Sequence, residues 1–165
     1  MSRRRAGSIQ SGLLLLAAAL AIVANAFPAR AALGGDVTSV QADQLHMRGS
    51  LRTTANASYT VHQIQAGSGA VVREYVSSSG KSAGKVFGIA WQGPWPPDMR
   101  QLLGSYFDQY VQAINAQSAG RAGRRPVRVE LPGLIVQRGG HPGSFVGRAY
   151  VPEMVPTGVR TEEIQ

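Results

Sequence analysis

The stretch AWQGPWPPDMRQLLGSYFDQYVQAI, Ala90 to Ile114, joins a strand-like run to the clearest helical pattern in the chain. Met99, Leu102, Leu103, Tyr106, Phe107, Tyr110, Val111 and Ile114 recur at three- and four-residue steps, the spacing that lays one apolar stripe along a helix. Gln101, Asp108, Gln109 and Gln112 fall largely on the other side. Asp98 is placed to cap the helix, with Gln101 three residues on to complete a capping box. If Pro97 is instead the first helical residue, its missing N–H costs nothing there. Gly120 supplies a stop. The pattern predicts one helix about 30 Å long.

The link before this helix is stiff. Gly93, Trp95 and Pro96 each precede a proline, which disfavours the α region and pushes them toward extended geometry. Both tryptophans of the chain sit at this joint. Each ring can bury about 150–250 Å², so the pair reads first as a clamp that fixes the helix against a sheet. Trp91, at the end of a strand, is assigned to that clamp. Trp95 is the candidate for a second use, as an exposed stacking platform for a sugar, peptide or aromatic ligand.

Outward from the joint, the chain reads as strands and turns. SYTVHQIQA, AVVREYVS and KVFGIAW, between Ser58 and Trp91, are short runs rich in Val, Ile, Tyr and Phe, separated by Gly67–Gly69 and Ser77–Gly84. In the second run Val72, Glu74 and Val76 oppose Val71, Arg73 and Tyr75, so neither face is purely apolar. Short loops between strands of similar length argue for an antiparallel meander. Beyond the helix lie VRVEL (Val127–Leu131) and, around a GGHPGS turn, GLIVQRGG and SFVGRAYVP. Val37 to Met47 fits a short helix capped by Asp36 or Thr38, or an irregular segment. The tail from Pro152 is polar, with Thr161 able to cap a final turn. The expectation is an α+β domain: an antiparallel β-meander sheet with one long amphipathic helix packed on one face.

The N-terminus sets the compartment. Arg3, Arg4 and Arg5 precede an apolar run, Leu13–Val23, and small residues follow at cleavage spacing, ANA (Ala24–Ala26) and ARA (Ala29–Ala31). That order is a secretory signal peptide. A membrane anchor needs about 20 apolar residues, and this run is interrupted soon after by Pro28 and Arg30. Residues 1–31 are therefore expected to leave, with cleavage after Ala31 (or after Ala26), and residues 32–165 to form a single exported domain without a transmembrane segment, periplasmic or secreted. The chain has no cysteine, which excludes a disulfide and a lipid-bearing cysteine alike. Of the 17 basic residues, Arg3, Arg4, Arg5 and Arg30 depart with the signal, leaving 13 against 9 acidic ones and a net charge of +4. That balance is ordinary for a soluble domain and gives no reason to expect a nucleic-acid partner.

Few residues carry a chemical signature. GKS at Gly80–Ser82 ends like a phosphate-binding loop, but the required glycine five positions before Gly80 is Tyr75, so a hairpin turn is the better reading. His46, His62 and His141 have no metal-ligand spacing and no thiol or carboxylate cluster beside them. No serine sits in a G-x-S-x-G elbow. No cofactor, metal or catalytic residue is therefore assigned. Arg121, Arg124, Arg125 and Arg128 form the one basic cluster: a solvated loop on the plain reading, a grip for phosphate or a polyanionic glycan on the functional one.

Four segments together carry a family resemblance: ALGGDVTSVQAD (Ala32–Asp43), VVREYVSSSGK (Val71–Lys81), KVFGIAWQGPWPPDMRQLLGSYFD (Lys85–Asp108) and GRAYVPEMVPTGV (Gly147–Val159). They resemble the exported Gram-negative bacterial proteins grouped as domain of unknown function 2844. The resemblance favours cleavage after Ala31 and implies export, but it brings no activity, substrate or catalytic residue. SSSGKSAGKVF looks longer than the compact turn of that family, which implies a lengthened hairpin loop.

Three functions are carried forward from the sequence. The leading one is a non-enzymatic envelope module that binds a protein partner or ligand, with Trp95 as its candidate contact. The second is a polyanion or anionic-surface binder using Arg121, Arg124, Arg125 and Arg128. The third is a hydrolase assembled from residues distant in sequence.

Overall fold

The computed structural model describes residues 33–118 and 126–165. The expected signal segment, residues 1–31, and Gly120, Arg121, Arg124 and Arg125 lie outside these residues. The described part is α+β, built on a seven-stranded antiparallel sheet. In chain order, helix α1 (Val37–His46) precedes β1 (Ser50–Ala55), β2 (Tyr59–Gln65), β3 (Val71–Ser77) and β4 (Val86–Gly93). Helices α2 (Met99–Leu103) and α3 (Phe107–Ser118) follow, then β5 (Val127–Leu131), β6 (Leu134–His141) and β7 (Ser144–Tyr150).

The sheet is two meanders rather than one. Its order is β1-β2-β3-β4-β7-β6-β5, so the hairpins after the helices fold back and β7 pairs with β4. Strand β1, SLRTTA, is an addition to the expected set: it is an exposed edge with a single large apolar residue, Leu51, and so lacks the hydrophobic pattern that marks the others. The Ser78–Lys85 connection holds a 3₁₀ turn at Gly80–Ser82. The GKS segment is thus a hairpin turn.

The long helix is broken. Asp98 caps α2 as expected, its carboxylate accepting from the Arg100 and Gln101 backbone N–H groups at 2.9 and 3.2 Å. The capping box does not close, because the Gln101 side chain donates to Asp43 of α1 instead. At Gly104 the backbone takes φ 50° and ψ −120°, a region open to glycine. A 3₁₀ turn over Gly104–Tyr106 then leads into α3. The apolar stripe survives the break. Leu102, Leu103 and Tyr110 are buried, and Met99, Tyr106, Phe107, Val111 and Ile114 pack around them against Val72, Ile89, Trp91, Val129 and Val136 of the sheet. Burying each Leu there contributes about 1.5–3 kcal/mol.

The second face is covered too. A β-bulge sets Val76 opposite Val86 and Tyr75 opposite Gly88, leaving Phe87 as the extra residue. Its ring consequently joins Tyr59, Tyr75, Tyr150 and Ile164 in a second core on the far face. The tail from Pro152 makes this layer. Ile164 is fully buried, Tyr59 donates to Glu163 at 2.9 Å and Tyr75 donates to the Gln165 main-chain oxygen at 2.9 Å. The final turn, Thr161–Glu163, is capped by Glu163, which accepts from Arg160 N–H at 3.2 Å, and not by Thr161.

Candidate functional site

Strand alternation sorts the side chains onto two faces, here called the helix face and the tail face. On the tail face one row crosses all seven strands: Arg52, Gln63, Arg73, Ala90, Arg148, Gln137, Arg128. Within it Arg73 Nε donates to Gln63 at 3.1 Å and Arg148 Nε donates to Gln137 at 2.8 Å. The same two guanidinium groups reach the tail. Arg148 donates to the Thr161 carbonyl at 2.7 Å, and Arg73 to the Gln165 main-chain oxygen at 3.2 Å. Beside this row and the tail lies a groove of about 710 Å³, lined among others by Arg73, Gln92, Arg128, Gln137, Arg148 and Glu162. A guanidinium carries five N–H donors, and these bonds leave several on Arg73 and Arg148 uncommitted.

On the helix face a second hollow, about 570 Å³, lies between the Trp–Pro elbow and the β6–β7 hairpin. Trp91, Met99, Val127, Arg138, His141 and Phe145 are among its walls. Trp91 is buried and spreads its indole over Gly147, where any β-carbon would overlap the ring.

A third polar group is sealed inside. The helix-face row Thr53, His62, Glu74, Ile89 places His62 beside Glu74, and Thr53 Oγ1 lies 3.1 Å from His62 Nδ1. Asp43 of α1 comes down on Glu74, and both carboxyls are fully buried. Burial pushes Glu74 well above its usual 4.5, and the neighbouring Asp43 pushes it further. Burial raises Asp43 as well. Asp43 Oδ2 and both Glu74 oxygens have no hydrogen-bond partner among the described residues, and a proton shared between the carboxyls would satisfy two of these three oxygens. Burial also lowers His62 from 6.5, which favours the neutral ring. This cluster is a structural acid pair without a path for substrate.

The residues singled out from sequence scatter. Trp91 is the expected clamp, yet it also borders both hollows. Trp95 is 66% exposed and is absent from both linings. Arg128 is exposed, ion-paired with Glu130 and on the wall of the tail-face groove. His46, His62 and His141 stand apart, and among the described residues no three His, Asp or Glu side chains gather as a metal site. No described helix is long and apolar enough to cross a membrane. Sequence reading missed Arg73, Arg138 and Arg148. The available signal was a lone arginine inside each of three strand runs, VREYV, VQRGG and GRAYV.

A family model described as "Protein of unknown function (DUF2844)" matches residues 29–164. The chain belongs to that family. No curated protein and no solved structure matches the chain significantly.

Proposed function

We propose that this chain is an exported, non-enzymatic binding module of the bacterial envelope, periplasmic or secreted, that holds an anionic ligand in its tail-face groove. The observation carrying this reading is the convergence of Arg73, Arg128 and Arg148 on one groove of about 710 Å³ in which Glu162 is the lone carboxylate side chain. Arginine suits the task, because its planar fork meets carboxylate, sulfate or phosphate oxygens two at a time. The signal-like N-terminus supports export, and the sealed state of Asp43 and Glu74 argues against their use as a hydrolytic pair. The basic segment Arg121–Arg125 adjoins the groove wall in sequence and extends the reading to a longer polyanion.

Salt elution of the mature chain from immobilised heparin tests this reading. Arg128→Gln is expected to elute at clearly lower salt, and joint replacement of Arg121, Arg124, Arg125 and Arg128 by Gln lower still. Unchanged elution of both variants would remove the anionic ligand from the proposal. Turnover of an envelope substrate by the purified chain alone would remove "non-enzymatic".

A further inference from the structure

We propose that the hollow on the helix face, which shares its Trp91–Arg138 wall with the tail-face groove, is a second binding site, for an organic monoanion with a flat or apolar body such as an aryl or alkyl carboxylate. The charge comes from Arg138. Its strand register sets it beside Gly147 and, one strand further, Trp91, all on the helix face. Because Gly147 has no side chain, the Trp91 indole slides over it toward the strand that carries Arg138. Arg138 and Trp91 thus stand on the wall common to this hollow and the tail-face groove, whereas Met99 and Phe145 line the hollow alone.

The Arg138 Nε is buried and has no hydrogen-bond partner among the described residues. No ion pair to Arg138 is formed among them either. The hollow is lined by Trp91, Met99, Phe145 and other apolar or glycine positions, with Arg138 and His141 as its ionisable groups and no carboxylate. A buried donor left unsatisfied is a standing penalty that proteins rarely carry without a use. A carboxylate in the hollow would pair with the guanidinium, and a small shift of the Arg138 side chain would bring the buried Nε into a two-point pair. The rest of such a ligand would lie on Trp91, Met99 and Phe145. At about 570 Å³ the cavity falls in the range of small-molecule sites. It has one fixed cation, which selects one acid group, and apolar walls, which reject a bare inorganic anion.

The two tryptophans give a built-in readout. Trp91 lines the hollow and the tail-face groove, Met99 lines the hollow alone, and Trp95, exposed on the elbow, lines neither. Phenylacetate and octanoate, each paired with its neutral amide, would be titrated into the mature chain, ¹⁵N-labelled and carrying methyl-¹³C methionine, while the two indole N–H signals and the Met99 methyl signal are followed, with Trp95→Phe and Met99→Leu assigning them. The expected result is a saturable shift of the Trp91 and Met99 signals together by at least one acid, with the matching amide at least tenfold weaker. Arg138→Gln should weaken the acid at least tenfold and leave the amide unchanged, and Arg138→Lys should fall between. Equal affinity for acid and amide, movement of Trp95 alone, or no saturable shift by either acid would overturn the proposal. Inorganic phosphate is the control for the other site. If phosphate moves tail-face arginine signals while no acid moves Trp91, this inference fails and the groove reading stands. Should Arg138→Gln not fold, the acid-against-amide comparison on the unmodified chain decides alone.

Discussion

Glu74 shows how much a single side chain can set. It faces the helices from a central strand, has no access to water and meets Asp43 across the interface. A carboxyl whose pKa is raised on folding gives stability that is complete below the unfolded value and is lost as pH rises through the folded one. His62 works in the opposite sense. Its pKa is lowered by burial, so its contribution is complete above about 6.5 and lost as pH falls. His46 and Asp98 act on Asp43 at longer range, with opposite signs. Glu74→Gln should therefore raise stability at pH 8 by about 1 kcal/mol or more and flatten the decline toward alkaline pH, leaving the acid limb in place. Urea unfolding across pH 5 to 9 measures this; an unaltered alkaline limb would contradict it. The sequence carried a trace of the arrangement, since Glu74 alternates with Val72 and Val76 and spoils an otherwise apolar face. What it could not carry is Asp43, which arrives from a helix more than thirty residues earlier. Arg138 was illegible for the same reason. Its significance comes from a glycine on the next strand and an indole on the one after.

At the scale of elements, strands with β-branched and aromatic runs between glycine turns were readable, and so was the apolar stripe at residues 99–114. The break at Gly104 was not. A 3₁₀ turn between two α-helical pieces keeps Leu103, Tyr106 and Phe107 on one side, so the three-and-four spacing persists through it. Substitution separates the two readings. In a continuous helix Gly104→Ala would stabilise by about 0.5–1 kcal/mol. At φ 50° and ψ −120° it should instead cost about 1–3 kcal/mol, read as a lower urea midpoint. The tail is the other element that pattern alone hides, because Ile164 is a lone large apolar residue in a polar final stretch. It is fully buried against Gly88. Ile164→Ala should cost about 2–5 kcal/mol, and hydrogen exchange should show the loss concentrated around Tyr59, Tyr75 and Phe87.

Over the whole molecule, the sheet is enclosed by helices on one side and by a strapped tail on the other. The pairing of β4 with β7 makes this possible by bringing two meanders into one surface. It was beyond sequence pattern because nothing local distinguishes strands that pair across more than fifty residues. The same pairing lays Arg73, Arg148 and Arg128 along one row, where the tail, itself held by two of them, forms a groove wall. Fold and proposed binding surface are therefore one construction. The most direct measurement of that claim is to follow the arginine Nε–H signals of the mature chain while a heparin-derived sulfated oligosaccharide is added. The account predicts that Arg73, Arg128 and Arg148 shift together and saturate at one common affinity. Signals from these three that stay in place throughout, with the fold intact, would contradict it.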